Sequence, residues 1–135
     1  MILFRPVGLK ELVLIADAQW QAFPPRLAWQ PIFYPVLNFE YAEQIAKGWN
    51  TKDENSGYSG FVTKFEVDDA FVSRYEVQVA GNAKVNLELW VPAEELAEFN
   101  RHIVGDIEVV ASYYGSRFQE EIDATTQLSK SLATS

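Results

Sequence analysis

Cysteine is absent from all 135 residues, so the chain has no disulfide framework, no thiolate nucleophile and no Cys-ligated metal. A domain without disulfides is expected in the cytoplasm. Basic residues are scarce: 11 Lys and Arg stand against 19 Asp and Glu, a net charge of −8. A surface built to neutralise phosphates needs clustered cations, so nucleic acid is not an expected partner. The scattered cations Arg5, Arg26, Lys47, Lys52 and Lys64 are still enough to hold a small anion locally. Apolar runs approaching the roughly 18 residues of a membrane span are missing, and Met1 to Pro6 lacks the form of a signal peptide, so neither membrane insertion nor export is expected. There is no phosphate-binding glycine loop, HExxH, GxSxG or EF-hand loop, and no metal is expected. The single histidine, His102, falls in the last turn of a predicted helix, where imidazole caps carbonyls.

What is present is apolar residue: 48% hydrophobic and 14% aromatic, enough for one dense core in a single domain. Ile2 to Val7 reads as a strand, and Leu9, Leu12, Val13, Ala16 and Trp20 follow at helical spacing. Prolines 24, 25 and 31 break regular structure before a second strand over Ile32 to Val36. Asn38 caps a helix whose stripe is Phe39, Ala42, Ile45, Ala46 and Trp49. A polar surface loop over Asn50 to Ser59 precedes a strand over Gly60 to Val67 with one face on the core. Asp68 caps a single helical turn, and Tyr75, Val77 and Val79 pair with Val85, Leu87, Leu89 and Val91 as a hairpin turning at Gly81-Asn82. A third helix starts at Pro92, carries Leu96, Phe99 and Ile103, and stops at Gly105, before a last strand over Ile107 to Tyr113. The order predicts an α+β fold with a mostly antiparallel sheet of about six strands and three helices. Residues 1–114 form the domain, and 115–135, polar with only Leu128 and Leu132 as large apolar groups near the end, form a frayed helix or flexible tail.

Three positions carry candidate chemistry. Alternation puts Arg5 on the same face as Leu3 and Val7, where a charge needs either a ligand or an acidic partner at the core edge. Asn86, Glu88 and Trp90 share one side of a late strand, and read either as a cleft wall or as the wet face of the sheet. Trp20, Phe23, Trp29, Phe33, Tyr34 and Tyr41 crowd the first third of the chain, as core or as ligand platform. Tyr34, between Phe33 and Pro35 at a strand end, is best placed to keep its hydroxyl exposed.

Phe4-Arg5-Pro6 on the first strand, Pro31 to Asn38 running into a helix with Ala42 and Ala46, and Asn86-Leu87-Glu88 on a late strand resemble the layout of the ADP-ribosyltransferase-like fold. Up to about Tyr113 the chain also resembles a family of small bacterial proteins often labelled ADP-ribosylation/crystallin J1, through the blocks Arg5-Pro-Val-Gly8, Phe23-Pro-Pro-Arg26 and Trp90-Val-Pro-Ala-Glu-Glu-Leu96. The resemblance implies an NAD or ADP-ribosyl ligand. Arg5 would then bind ribose or pyrophosphate, Tyr34 would stack on nicotinamide, and Glu88 would stabilise the cationic transition state. Arg26, Tyr41 and Asn86 complete the expected ligand-binding set. Asn86 departs from the Gln or Glu that many protein-modifying members place two residues before the catalytic Glu, so the acceptor is open. The alternative expectation is a non-catalytic module, binding a ligand, a protein or a second copy of itself.

Overall fold

The computed structural model describes residues 1–80 and 86–118. Its fold is mixed α and β with antiparallel pairing. Strand β1 (Ile2–Val7) lies against β3 (Ser59–Val67), whose other edge pairs with the long β7 (Ile103–Tyr114). Two short ladders complete the pairing: β2 (Ile32–Phe33) with β6 (Val91–Pro92), and β4 (Val77–Val79) with β5 (Leu87–Leu89). Val36 stitches the parts together, exchanging both backbone hydrogen bonds with Phe4 at 2.8 and 2.7 Å and bridging Glu88 on its other side. Beyond Phe4, β1 has no strand partner on that edge among the described residues.

Both faces of the three-stranded part are covered. Helix α1 (Leu9–Asp17) buries Leu9, Leu12 and Ile15, and it shares the larger core with Leu3, Val7, Phe61 and Phe65. The same core takes α3 (Asp69–Val72), capped by the Asp68 carboxylate, and α4 (Leu96–Arg101). Phe99 is its hub, with ring centroids 5.5 Å from Phe33, 6.2 Å from Phe71 and 6.3 Å from Phe65. On the opposite face α2 (Phe39–Gly48), capped by Asn38, lays Ala42 and Ala46 on Val36 and Val62. Its backbone at Ala46 comes so close to Gly60 that a β-carbon there would collide with the helix, which is why a small-residue face meets a glycine.

Several sequence expectations change. Among the described residues there are seven strands and four α-helices, rather than about six and three. Strand β3 does not face a core on one side only, because α2 covers its second face. The third helix begins later and ends earlier: Pro92 belongs to β6, residues 93–95 form a 3₁₀ turn, and Ile103 already starts β7. Gly105 is not a helix stop; it sits inside β7 at φ +76°, where the register against Lys64 and Glu66 slips, a bulge that needs a left-handed backbone. The stretch from Asn50 is only partly a surface loop: Lys52, Glu54 and Asn55 are exposed, but Asn50, Thr51, Ser56 and Ser59 are buried around two 3₁₀ turns. The second strand stops at Phe33, with Pro35 breaking its ladder. His102 ends α4 with Nδ1 2.9 Å from the Glu98 carbonyl and its ring stacked on Phe71.

Packing continues past Tyr114, where the Gly115 amide donates to the Tyr58 carbonyl and Phe118 lies on the Tyr114 ring. The hairpin turn at Gly81-Asn82, and Leu128 and Leu132 of the tail, lie outside the described residues. No helix among the described residues is long and apolar enough to cross a membrane.

Candidate functional site

Where β1 loses its neighbour, the chain leaves a cleft of about 970 Å³. Its walls are the start of α1, the proline-rich segment around Arg26, α2 with the turn that follows it, and Glu88 of β5 with Trp90 just beyond that strand. Arg5, Arg26, Tyr34, Tyr41 and Glu88 all line it. Asn86 is absent from its wall; the Asn86 carbonyl instead accepts the Ala80 amide at 2.7 Å.

Arg5 is buried, 8% exposed, as its place beside Leu3 and Val7 requires. Its Nε and Nη2 donate to the two oxygens of Glu11 at 2.8 and 3.0 Å, a bidentate fork. The guanidinium also lies 4.6 Å from the centre of the Phe33 ring, and Nη1 reaches the Tyr34 carbonyl at 3.4 Å. This cation is therefore matched within the protein. Sequence reasoning left the partner unnamed; the signal was an acid in the first turn of the helix that directly follows the strand.

Arg26 differs. Its Nε donates to the Ile32 carbonyl at 3.1 Å, and among the described residues it forms no ion pair. Burial, and then repulsion from Arg5, push its proton affinity below the usual guanidinium value, with Glu11 only partly offsetting them. Among the described residues the two terminal nitrogens of Arg26 have no hydrogen-bond partner, which leaves them available to an anion in the cleft.

Across the cleft, Glu88 projects from β5. Its Oε2 accepts from the Tyr41 hydroxyl at 3.1 Å and its Oε1 from the Trp90 indole at 2.8 Å. Burial first, and the Glu88 carboxylate second, push the Tyr41 phenol up to about 12. The same causes, with Glu43 as the partner, push Tyr113 up to about 12. A folded pKa raised above the unfolded value near 10 gives stability that is complete below pH 10 and is lost as pH climbs toward 12. Denaturant melts between pH 9 and 12 should therefore show a steep alkaline loss that Tyr41→Phe makes shallower; equal slopes would mean that Tyr41 ionises freely.

The aromatics divide in a way the sequence did not show. Phe23 and Phe33 are core, whereas Trp29, Tyr34, Trp49 and Trp90 are exposed and line the cleft. Trp49 was expected in the core, yet it is 60% exposed. Trp49 stands one residue past the end of α2, beyond the close approach of Ala46 to Gly60. Compared with protein-family models, curated proteins and solved structures, the chain matches none.

Proposed function

We propose that the cleft binds a nucleotide-type ligand of the NAD or ADP-ribosyl class, and that Glu88 assists transfer of the ADP-ribosyl group. The observation that carries this reading is that one cleft holds both a guanidinium, Arg26, with no ion pair among the described residues, and four exposed aromatic rings. A guanidinium fork suits a pyrophosphate, and flat aromatic faces suit bases and pyridinium rings. The neighbouring order of β1, the Tyr34–Val36 segment and β5 supports the ADP-ribosyltransferase-like arrangement, since Phe4 bridges Val36 and Val36 bridges Glu88.

The roles shift from those that resemblance implied. Arg5, already forked to Glu11, positions the Tyr34 main chain, and Arg26 takes the anion. Glu88 faces the cleft as a carboxylate held by two donors, suited to stabilising positive charge on a ribosyl carbon as the bond to nicotinamide breaks and its electron pair leaves with the ring. An acceptor group then bonds to that carbon and gives up its proton. The second reading is a binding module without chemistry, favoured by the engagement of both Glu88 oxygens and by Asn86 lying off the cleft wall.

Thermal melts test ligand binding. NAD at a hundred times its dissociation constant should stabilise the fold by about 2.7 kcal/mol. Arg26→Gln should weaken binding by roughly tenfold or more, because a hydrogen bond to a charged group contributes roughly 1.5–3 kcal/mol, and should lower the ligand-free melt slightly through loss of the bond to the Ile32 carbonyl. No shift at millimolar NAD would overturn the nucleotide reading.

A further inference from the structure

Asn50 sits in the wall of the cleft directly after Trp49, and it is 4% exposed. Its Nδ2 donates to Ser56 Oγ at 2.9 Å, and Ser56 Oγ donates onward to Asp53 Oδ2 at 2.6 Å. Because the serine proton is committed to Asp53, Ser56 can only accept from Asn50, which fixes the amide orientation. The carbonyl oxygen is then left over. Among the described residues Asn50 Oδ1 is the one buried side-chain polar atom with no hydrogen-bond partner. The surrounding loop satisfies its other buried polar side chains: Thr51 donates to the Lys47 carbonyl at 2.7 Å and Ser59 to the Ser56 carbonyl at 3.3 Å. A buried acceptor without a donor is costly, and in a native fold such a group calls for a partner that arrives from outside.

Resting on the reading of the cleft as a ligand site, we infer that Trp49 and Asn50 form a subsite for a planar ring carrying an NH₂ group, either a ring amine of the adenine kind or a carboxamide of the nicotinamide kind. Trp49 offers its exposed indole for stacking, and Asn50 Oδ1 accepts the NH₂ proton. Asn50 Oδ1 is closed off in the ligand-free chain, so occupation of this subsite requires the amide to turn about its one hydrogen bond, to Ser56. A ring with an acceptor or a methyl group at that place would leave the orphaned oxygen unpaired. The subsite thereby selects by hydrogen-bond polarity rather than by shape.

Two matched pairs of probes test this without relying on phosphate binding: nicotinamide against 3-acetylpyridine, which replaces NH₂ by CH₃, and adenosine against inosine, which replaces the amine by a carbonyl. Titrations followed by tryptophan fluorescence should show at least one NH₂ member binding about tenfold more tightly than its counterpart, equivalent to about 1.4 kcal/mol. The pair that discriminates identifies the kind of ring. Asn50→Leu should abolish the preference. Should Asn50→Leu fail to fold, the wild type still decides, because a wild type that binds both members of each pair equally overturns the subsite. Discrimination without any NAD binding would sustain the ring subsite and sink the NAD reading; NAD binding without discrimination would do the reverse. Binding of none of the probes and no NAD binding would overturn both.

Discussion

Glu88→Gln is expected to lower nicotinamide release from NAD by roughly 10²–10³-fold, the usual scale for removing one preorganised electrostatic contact to a transition state. The folded state should survive, because Glu88 lies at the cleft wall with the Tyr41 hydroxyl and the Trp90 indole as its partners. Glutamine offers one acceptor oxygen in place of two, so one of these donors must turn to water. NAD affinity should remain nearly unchanged, since a carboxylate favours the cationic ribosyl transition state more than the ground state. Chromatography of the reaction mixture provides the rate and a thermal melt checks the fold. Equal release by parent and variant, at the uncatalysed rate, would leave the cleft as a binding site without chemistry.

The largest stability effect should come from Phe99→Ala, at about 3–5 kcal/mol. Phe99 is fully buried, and its ring meets Phe33, Phe65, Phe71 and Tyr75 from three elements and a connecting segment. These neighbours are anchored on separate parts of the backbone and cannot all close the void, so the cavity cost adds to the lost transfer free energy. That loss would be a large share of typical domain stability. Trp49→Ala is the paired control: exposed at the cleft, it should cost less than about 1 kcal/mol while weakening ligand binding. Chemical denaturation of both variants decides the matter; a loss at Trp49 as large as that at Phe99 would place its indole in the core.

Periodicity and end signals made much of the fold readable. Asn38 and Asp68 do cap helices through their side chains, and alternation placed Arg5 beside Leu3 and Val7 on a buried face. These are short-range facts: a strand alternates and a helix repeats wherever it is packed. Reading failed where two elements competed for the same residues. Ile103 fits the stripe of a helix, but it opens β7, in register with Val67 of β3. Trp49 fits the stripe of α2, but the helix ends at Gly48 and leaves its indole exposed at the cleft.

The candidate site shows the same division. By itself the sequence determined the α+β class, most of the strands and helices, the Phe99 core position and the need for Arg5 to find a partner. Only the tertiary structure decided that the partner is Glu11, that among the described residues Arg26 rather than Arg5 is left without an ion pair, that Asn86 lies off the cleft while Tyr41 holds Glu88, and that a polar stretch folds inward to bury Asn50. The reason is range. Side-chain patterning reports which way a residue faces within its own element, whereas the pairing of charges and the orphaning of an amide depend on how separate elements are brought together by the packing of the whole core.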